Sequence, residues 1–321
     1  MTPELARSLA VAAWLVAAVT LAQEPQVSVT QTSTQCMPRE WERQLWPHPE
    51  DVRFTATTLE ERGVFSRVLP ALLAAAPAGG AAEPQVAADL ETVGFLLETW
   101  RTPNDTFWVL RERPELRRGA GAYVIRTGPA SSDFVQTPHA YFDSGTGVLG
   151  AQLFACPPPG TRPRLFATNT AHRFKSRPGE TREEPDHPAD LAHNPDHLFQ
   201  WVTDLAARGL PKLRVLQLHG FASTGSRKEL LAVVSAGSHR PSPAVRKLSG
   251  KLGTLLGSGV RLFPDQTDVF GATQNVQARL LQSYPGTAFV HLELSSEVRK
   301  SLASPAELAR LGDALLLPFE G

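Results

Sequence analysis

The stretch QTPHAYFDSGTG, residues 136–147, joins two apolar runs of different period. Ahead of it, DFVQTPH (133–139) reads as a strand that stops at a histidine. After it, GVLGAQLFA (147–155) reads as a helix. Between them His139 and Asp143 stand four residues apart, and Gly145 and Gly147 allow the loop to turn sharply. A strand, a loop bearing titratable groups and a helix form the repeating unit of an α/β sheet protein. The loop itself has two readings. It is a pair of metal ligands at a strand end, or an ordinary loop in which Asp143 caps the helix.

The pattern continues outward. Strands are predicted over 121–128, 164–170, 213–221, 230–237, 260–265 and 288–294. Helices are predicted over 195–209, 242–257 and 304–316. Their alternation predicts an α/β fold: a mostly parallel or mixed sheet with helices on both faces. Upstream, VAADLETVGFLLETW (86–100) has apolar residues three and four apart and reads as one amphipathic helix. Residues 69–85 read as a short helix followed by an Ala/Gly/Pro linker, and residues 23–50 as polar chain without a period. The expected division is a leader over 1–22, an N-terminal extension and linker over 23–85, and a catalytic domain over 86–321. The charged, Pro-rich segment 175–188 reads as an exposed insertion.

Lys plus Arg equals Asp plus Glu at 32 each, so no bulk field favours nucleic acid or an anionic membrane. The N-terminus carries Arg7, then a fourteen-residue apolar run from Leu9 to Ala22 with small residues at its end. A bilayer span needs about 20 apolar residues. The segment therefore reads as a signal peptide cleaved after Ala22, and the chain as secreted or periplasmic. No other membrane contact is expected, and the oligomeric state is left open. The two cysteines, Cys36 and Cys156, are suited to one disulfide after export, but spacing does not say whether they meet.

In open α/β sheets ligands bind beyond the carboxyl ends of the strands. Four predicted strand ends deliver polar groups there: His139, His219, Glu293, and the pair His172 and Arg173. A hydrolytic zinc site needs about three nitrogen or oxygen ligands and a nearby carboxylate to move protons. His139, Asp143 and His219 suit the first requirement and Glu293 the second. Each also has a plainer reading: a hydrogen-bonded structural histidine, a helix cap at Asp143, or a Glu293–Arg299 ion pair. In DLAHNPDHLFQ (190–200), His193 and Asn194 are candidates for substrate contact, Asn194 or Asp196 for a helix cap, and His193, Asp196 and His197 for a competing metal site.

The motif order resembles the N-formylglutamate amidohydrolase-like group, whose fold is related to that of zinc carboxypeptidases. TPHAYFD resembles that group's SPHSG element, and FDSGTG is similar to the IEPGT element of zinc poly-gamma-glutamate hydrolases. QLHGF resembles the later LHS strand end, and VHLELSSEVRKSL looks like QIEINRxLY. The resemblance implies His139, Asp143 and His219 as zinc ligands, Glu293 as the catalytic carboxylate and Arg173 as a substrate contact. It departs from the pattern in two places: HG stands where the group has HS, and NTAHR stands where it has NR.

No G-x-S-x-G nucleophile elbow, P-loop or G-x-G-x-x-G segment occurs, which argues against serine hydrolases and nucleotide enzymes. The expectation is an exported zinc-dependent amidohydrolase or carboxypeptidase-like hydrolase acting on a small peptide or acyl-amino acid. The rival is an exported binding protein that keeps the fold without catalysis.

Overall fold

The computed structural model describes residues 29–32, 37, 39–48, 51–157, 160–175, 187–302 and 304–316. The predicted leader, Cys36 and most of the 175–188 insertion lie outside them. Cys156 is disulfide-bonded, whereas Cys36, the partner considered for it, is not among the described residues.

Ten strands form one mixed sheet. In chain order they are β1 (Val29–Thr32), β2 (Phe95–Arg101), β3 (Thr106–Glu112), β4 (Ala122–Arg126), β5 (Ser131–Thr137), β6 (Pro163–Thr168), β7 (Arg214–Phe221), β8 (Ala232–Ser235), β9 (Val260–Leu262) and β10 (Ala288–Ser295). Their spatial order is β1-β2-β3-β4-β6-β5-β7-β10-β8-β9. The four central strands β6, β5, β7 and β10 run parallel, so their carboxyl ends share one edge. The chain leaves β5 for β6 on one side and later reaches β7 on the other. The crevice between β5 and β7 is therefore a topological switch point, where such sheets bind ligands. The expected α/β architecture is the observed one.

Helices cover both faces, each over its own apolar core. On one face lie α2 (Leu59–Ala75), α3 (Pro84–Thr92), α5 (Leu198–Gly209) and α7 (Val276–Leu281). On the other lie α1 (Arg39–Leu45), α4 (Thr146–Ala155), α6 (Pro243–Leu256), α8 (Ser296–Ser301) and α9 (Pro305–Leu316). Because both faces are covered, the central strands read as near-continuous apolar runs. Polar side chains inside those runs, such as Gln136, Gln217 and His291, need buried partners.

Two local expectations are corrected. Residues 86–100 are not one helix: α3 ends at Thr92, Gly94 takes φ +77°, and the chain continues as β2, paired antiparallel with β3. The helical spacing of the apolar residues ran across a turn that only the glycine marked. Residues 23–50 are not merely polar wrapping either, since α1 buries Trp41 and Leu45, with Trp41 against Trp100 and Phe107.

Candidate metal centre

The register of the central strands decides which side chains share a face. Gln136 of β5 lies level with Gln217 of β7, which lies level with His291 of β10. Two residues further toward the carboxyl edge, His219 lies level with Glu293. Parallel neighbours in register point the same way, so an amide layer sits directly beneath an imidazole–carboxylate layer. His139 follows two residues after β5 ends and joins the upper layer.

The loop from His139 to Gly145 closes on itself, with the amides of Phe142 and Asp143 both donating to the His139 carbonyl. Asp143 does not cap α4, because the N-cap is Gly145 at φ +87°. The Asp143 side chain turns to the histidines instead. Its Oδ2 stands 3.5 Å from Nδ1 of His139 and 3.5 Å from Nδ1 of His219. Both gaps are too long for good hydrogen bonds. They match the roughly 3.3–3.4 Å between donors held about 2.0–2.1 Å from a tetrahedral centre.

The far side of each ring is tied back. His139 Nε2 lies 2.8 Å from Oδ1 of Asp190, and His219 Nε2 lies 2.8 Å from Oε1 of Gln217. The second tie can be traced to a backbone amide. The Ala278 N–H at the start of α7 donates to Oδ1 of Asn275. The other end of that amide, Nδ2, must then donate, and it does so to Oε1 of Gln217 at 2.6 Å. Gln217 Nε2 meanwhile donates to Oε1 of Gln136 and of Gln277. With its orientation fixed, Gln217 accepts the Nε2–H of His219, which leaves the Nδ1 lone pair facing Asp143.

Two lone pairs and a carboxylate oxygen thus face one another in a buried space, an arrangement that a cation would satisfy. His139 Nδ1 has no hydrogen-bond partner, and neither has Oε2 of buried Glu293. The donor set, two imidazole nitrogens and one carboxylate, fits zinc, and a carboxylate behind a ligating histidine is a common outer shell. A second triplet, His219, His291 and Glu293, also brings its ligand atoms within 4.8 Å of one another. It shares His219, whose only free ring nitrogen already faces Asp143.

Burial sets the electrostatics. It pushes the Glu293 carboxyl up to about 8, and the charge on Asp143 adds to this. It brings His219 down to about 4 against the pull of Asp143. Burial opposes ionisation at Asp143 too, but the two imidazoles hold that carboxyl below its usual range. His139 resists burial through Asp143 and Asp190 and sits above the ordinary histidine value.

A cavity of about 520 Å³ opens over the cluster and is lined by Asp143, His219, Glu293, Arg173, Arg299 and Phe270 among others. Arg173 is thus at the site, where it donates to Asp190 and lies over the ring of Phe174 at 4.4 Å. His193 and Asn194 do not line this cavity. His193 holds the second oxygen of Asp190 at 3.0 Å, and Asn194 closes a local turn through the Pro188 carbonyl and the Asp196 amide. The cap of α5 is His197 rather than Asn194 or Asp196. Glu293 does not pair with Arg299, whose guanidinium binds backbone carbonyls. Sequence reasoning missed Asp190, Gln217 and Asn275. The signal available for the last two was a polar amide inside, or just before, a buried apolar run.

No protein-family model matches the chain, and no curated protein does. Among solved structures, the chain is similar to a bacteriophage poly-gamma-glutamate hydrolase: 16% identity, 60% of this chain and 85% of that one, TM-score 0.36. It is also similar to an aspartoacylase family protein from Mesorhizobium loti: 15% identity, 63% and 62% coverage, TM-score 0.37. A succinylglutamate desuccinylase from Chromobacterium violaceum aligns at 13% identity over 77% of this chain and 72% of that one, TM-score 0.38.

Proposed function

We propose that this chain is an exported zinc-dependent hydrolase of an amide bond in a small peptide or acylated amino acid. One observation carries the reading: two buried imidazoles, each anchored through Nε2, present Nδ1 to one Asp143 oxygen. His139, Asp143 and His219 are the ligands. Bound zinc supplies Lewis acidity to the scissile carbonyl and to the attacking water. Glu293, with Oε2 unpartnered at the cavity wall, is protonated near neutral pH without a cation. The charge of a bound zinc beside it would favour the carboxylate, which then takes the water's proton and returns it to the leaving amine. Arg173 flanks the same cavity and holds Asp190, so it supports His139 and offers a cationic wall to the substrate. Export rests on the leader sequence, and it favours peptides or wall fragments as substrates.

Metal analysis of the purified mature chain is the test. The expected result is about one zinc per chain, lost in Asp143→Ala and His219→Ala. Glu293→Gln is expected to keep the metal and lose at least about 10²-fold in turnover, the usual scale for a proton shuttle. The screen covers acyl-amino acids, C-terminal peptides and muropeptides. A folded wild type that resists zinc loading would sink the enzyme reading and favour a binding protein.

A further inference from the structure

Arg299 has no role in the chemistry above, yet its guanidinium joins three of the segments that carry it. From α8 it folds back over the end of β10. Nε donates to the Ser144 carbonyl at 2.8 Å, and Nη1 donates to the carbonyls of Phe221, at 3.3 Å, and Leu294. Ser144 follows Asp143, Leu294 follows Glu293, and Phe221 lies two residues after His219. One planar cation thus ties the loop of one ligand, the strand of a second ligand and the strand of the proton-shuttling carboxylate. Arg299 makes no ion pair with a carboxylate among the described residues, so those carbonyls are its partners.

The same geometry explains a residue. A Cβ on Gly220 would overlap Nη1 and Cζ of Arg299. Any side chain at position 220 would evict the guanidinium from its place between the segments. This is the position where the resembling group has serine after its histidine, and here the arginine takes that space.

We infer that Arg299 is a positioning residue that locks the segments of Asp143, His219 and Glu293 into one arrangement, and that position 220 is glycine to admit it. The guanidinium fork suits this task, because a lysine ammonium is a point charge without two fixed donor directions. The inference rests on the zinc reading for what is positioned, not for the clamp itself.

The test is a cycle of Gly220→Ala, Arg299→Lys, Arg299→Ala and Gly220→Ala/Arg299→Ala in the full chain. Three readouts apply: zinc affinity by chelator competition, the folding equilibrium in urea, and side-chain ¹⁵N spectra of the histidines without metal. Gly220→Ala is expected to weaken zinc at least tenfold when Arg299 is present and less than twofold when residue 299 is alanine. Arg299→Lys should likewise weaken zinc tenfold and shift the His139 and His219 signals while leaving His197 in place. If Arg299→Ala does not fold, the lysine variant replaces it in the cycle. If the wild type takes up no zinc, the zinc reading fails alone, and the folding cycle and spectra still judge the clamp. Additive effects of the two substitutions on folding, together with unmoved imidazole signals, would overturn it.

Discussion

Gln217 carries no charge and does not line the cavity, yet it determines which nitrogen of His219 is free. Its carbonyl end already accepts from Asn275, and its amide end donates to two other glutamines. Replacing Gln217 by leucine leaves the His219 tautomer unspecified and strands Oε1 of Gln136 and of Gln277, and the Nδ2–H of Asn275, in a buried layer. Loss of such an outer partner typically costs about 10–100-fold in metal affinity. Gln217→Leu is expected to fall in that range by chelator competition, whereas Gln217→Glu, which keeps an acceptor, should fall less. Equal zinc affinity in wild type and Gln217→Leu would show that the ring is held by packing alone. The four groups that the structure brings together, His139, Asp143, His219 and Glu293, were legible because each ends or follows an apolar run with a titratable residue. Their supports were not: Asp190 lies 51 residues from His139 and belongs to no motif.

His197 shows the same principle at the scale of an element. It caps α5 by accepting the Phe199 amide on Nδ1 at 3.0 Å, while Nε2–H donates to the Gly119 carbonyl at 3.0 Å. Both nitrogens are committed to the neutral ring, since a proton on Nδ1 would confront the Phe199 N–H. Burial accordingly brings His197 down to about 4. The unfolded chain, with histidine near 6.5, then binds more protons than the folded chain between about pH 6.5 and 4. Stability from this residue is complete above pH 6.5 and is lost as pH falls toward 4. Relative to His197→Asn, which keeps a cap acceptor, the wild type should lose on the order of 2 kcal/mol by pH 5. Urea unfolding of both proteins at pH 7.5 and pH 5.0 measures it, and parallel curves would refute it. A second element-scale expectation concerns α4, where a Cβ on Gly150 would overlap Thr137 Cγ2 and approach Phe166 to 3.3 Å. Gly150→Ala should therefore lower stability by about 1–3 kcal/mol, the usual cost of overpacking, read from the urea midpoint. Strands from β4 onward were legible from their apolar runs, as were α4, α5, α6 and α9. The β2–β3 hairpin was not, because FLLETW continues the helical spacing of α3 and only the positive φ at Gly94 breaks it.

At the scale of the molecule, strand order was the part that sequence could not supply. Alternation of elements predicts a sheet but not which strands are neighbours, and it is the β6-β5-β7-β10 order that sets His139 beside His219 and His219 beside Glu293. The site therefore links parts of the chain separated by one crossover after another. A cation held there by His139, Asp143 and His219 binds the folded sheet and finds no preformed site in the unfolded chain. Binding to one state only stabilises it, by about 4 kcal/mol when free zinc is 1,000 times its dissociation constant. For a chain larger than 250 residues each kcal/mol moves the melting temperature by about 2 °C or somewhat less. Stripping zinc from the loaded wild type should thus lower its melting temperature by several degrees, in proportion to the logarithm of free zinc. His219→Ala should melt at one temperature with or without chelator. If chelation of a verified zinc-loaded protein leaves the wild-type transition unmoved, the bound metal lies elsewhere and these three side chains do not hold it.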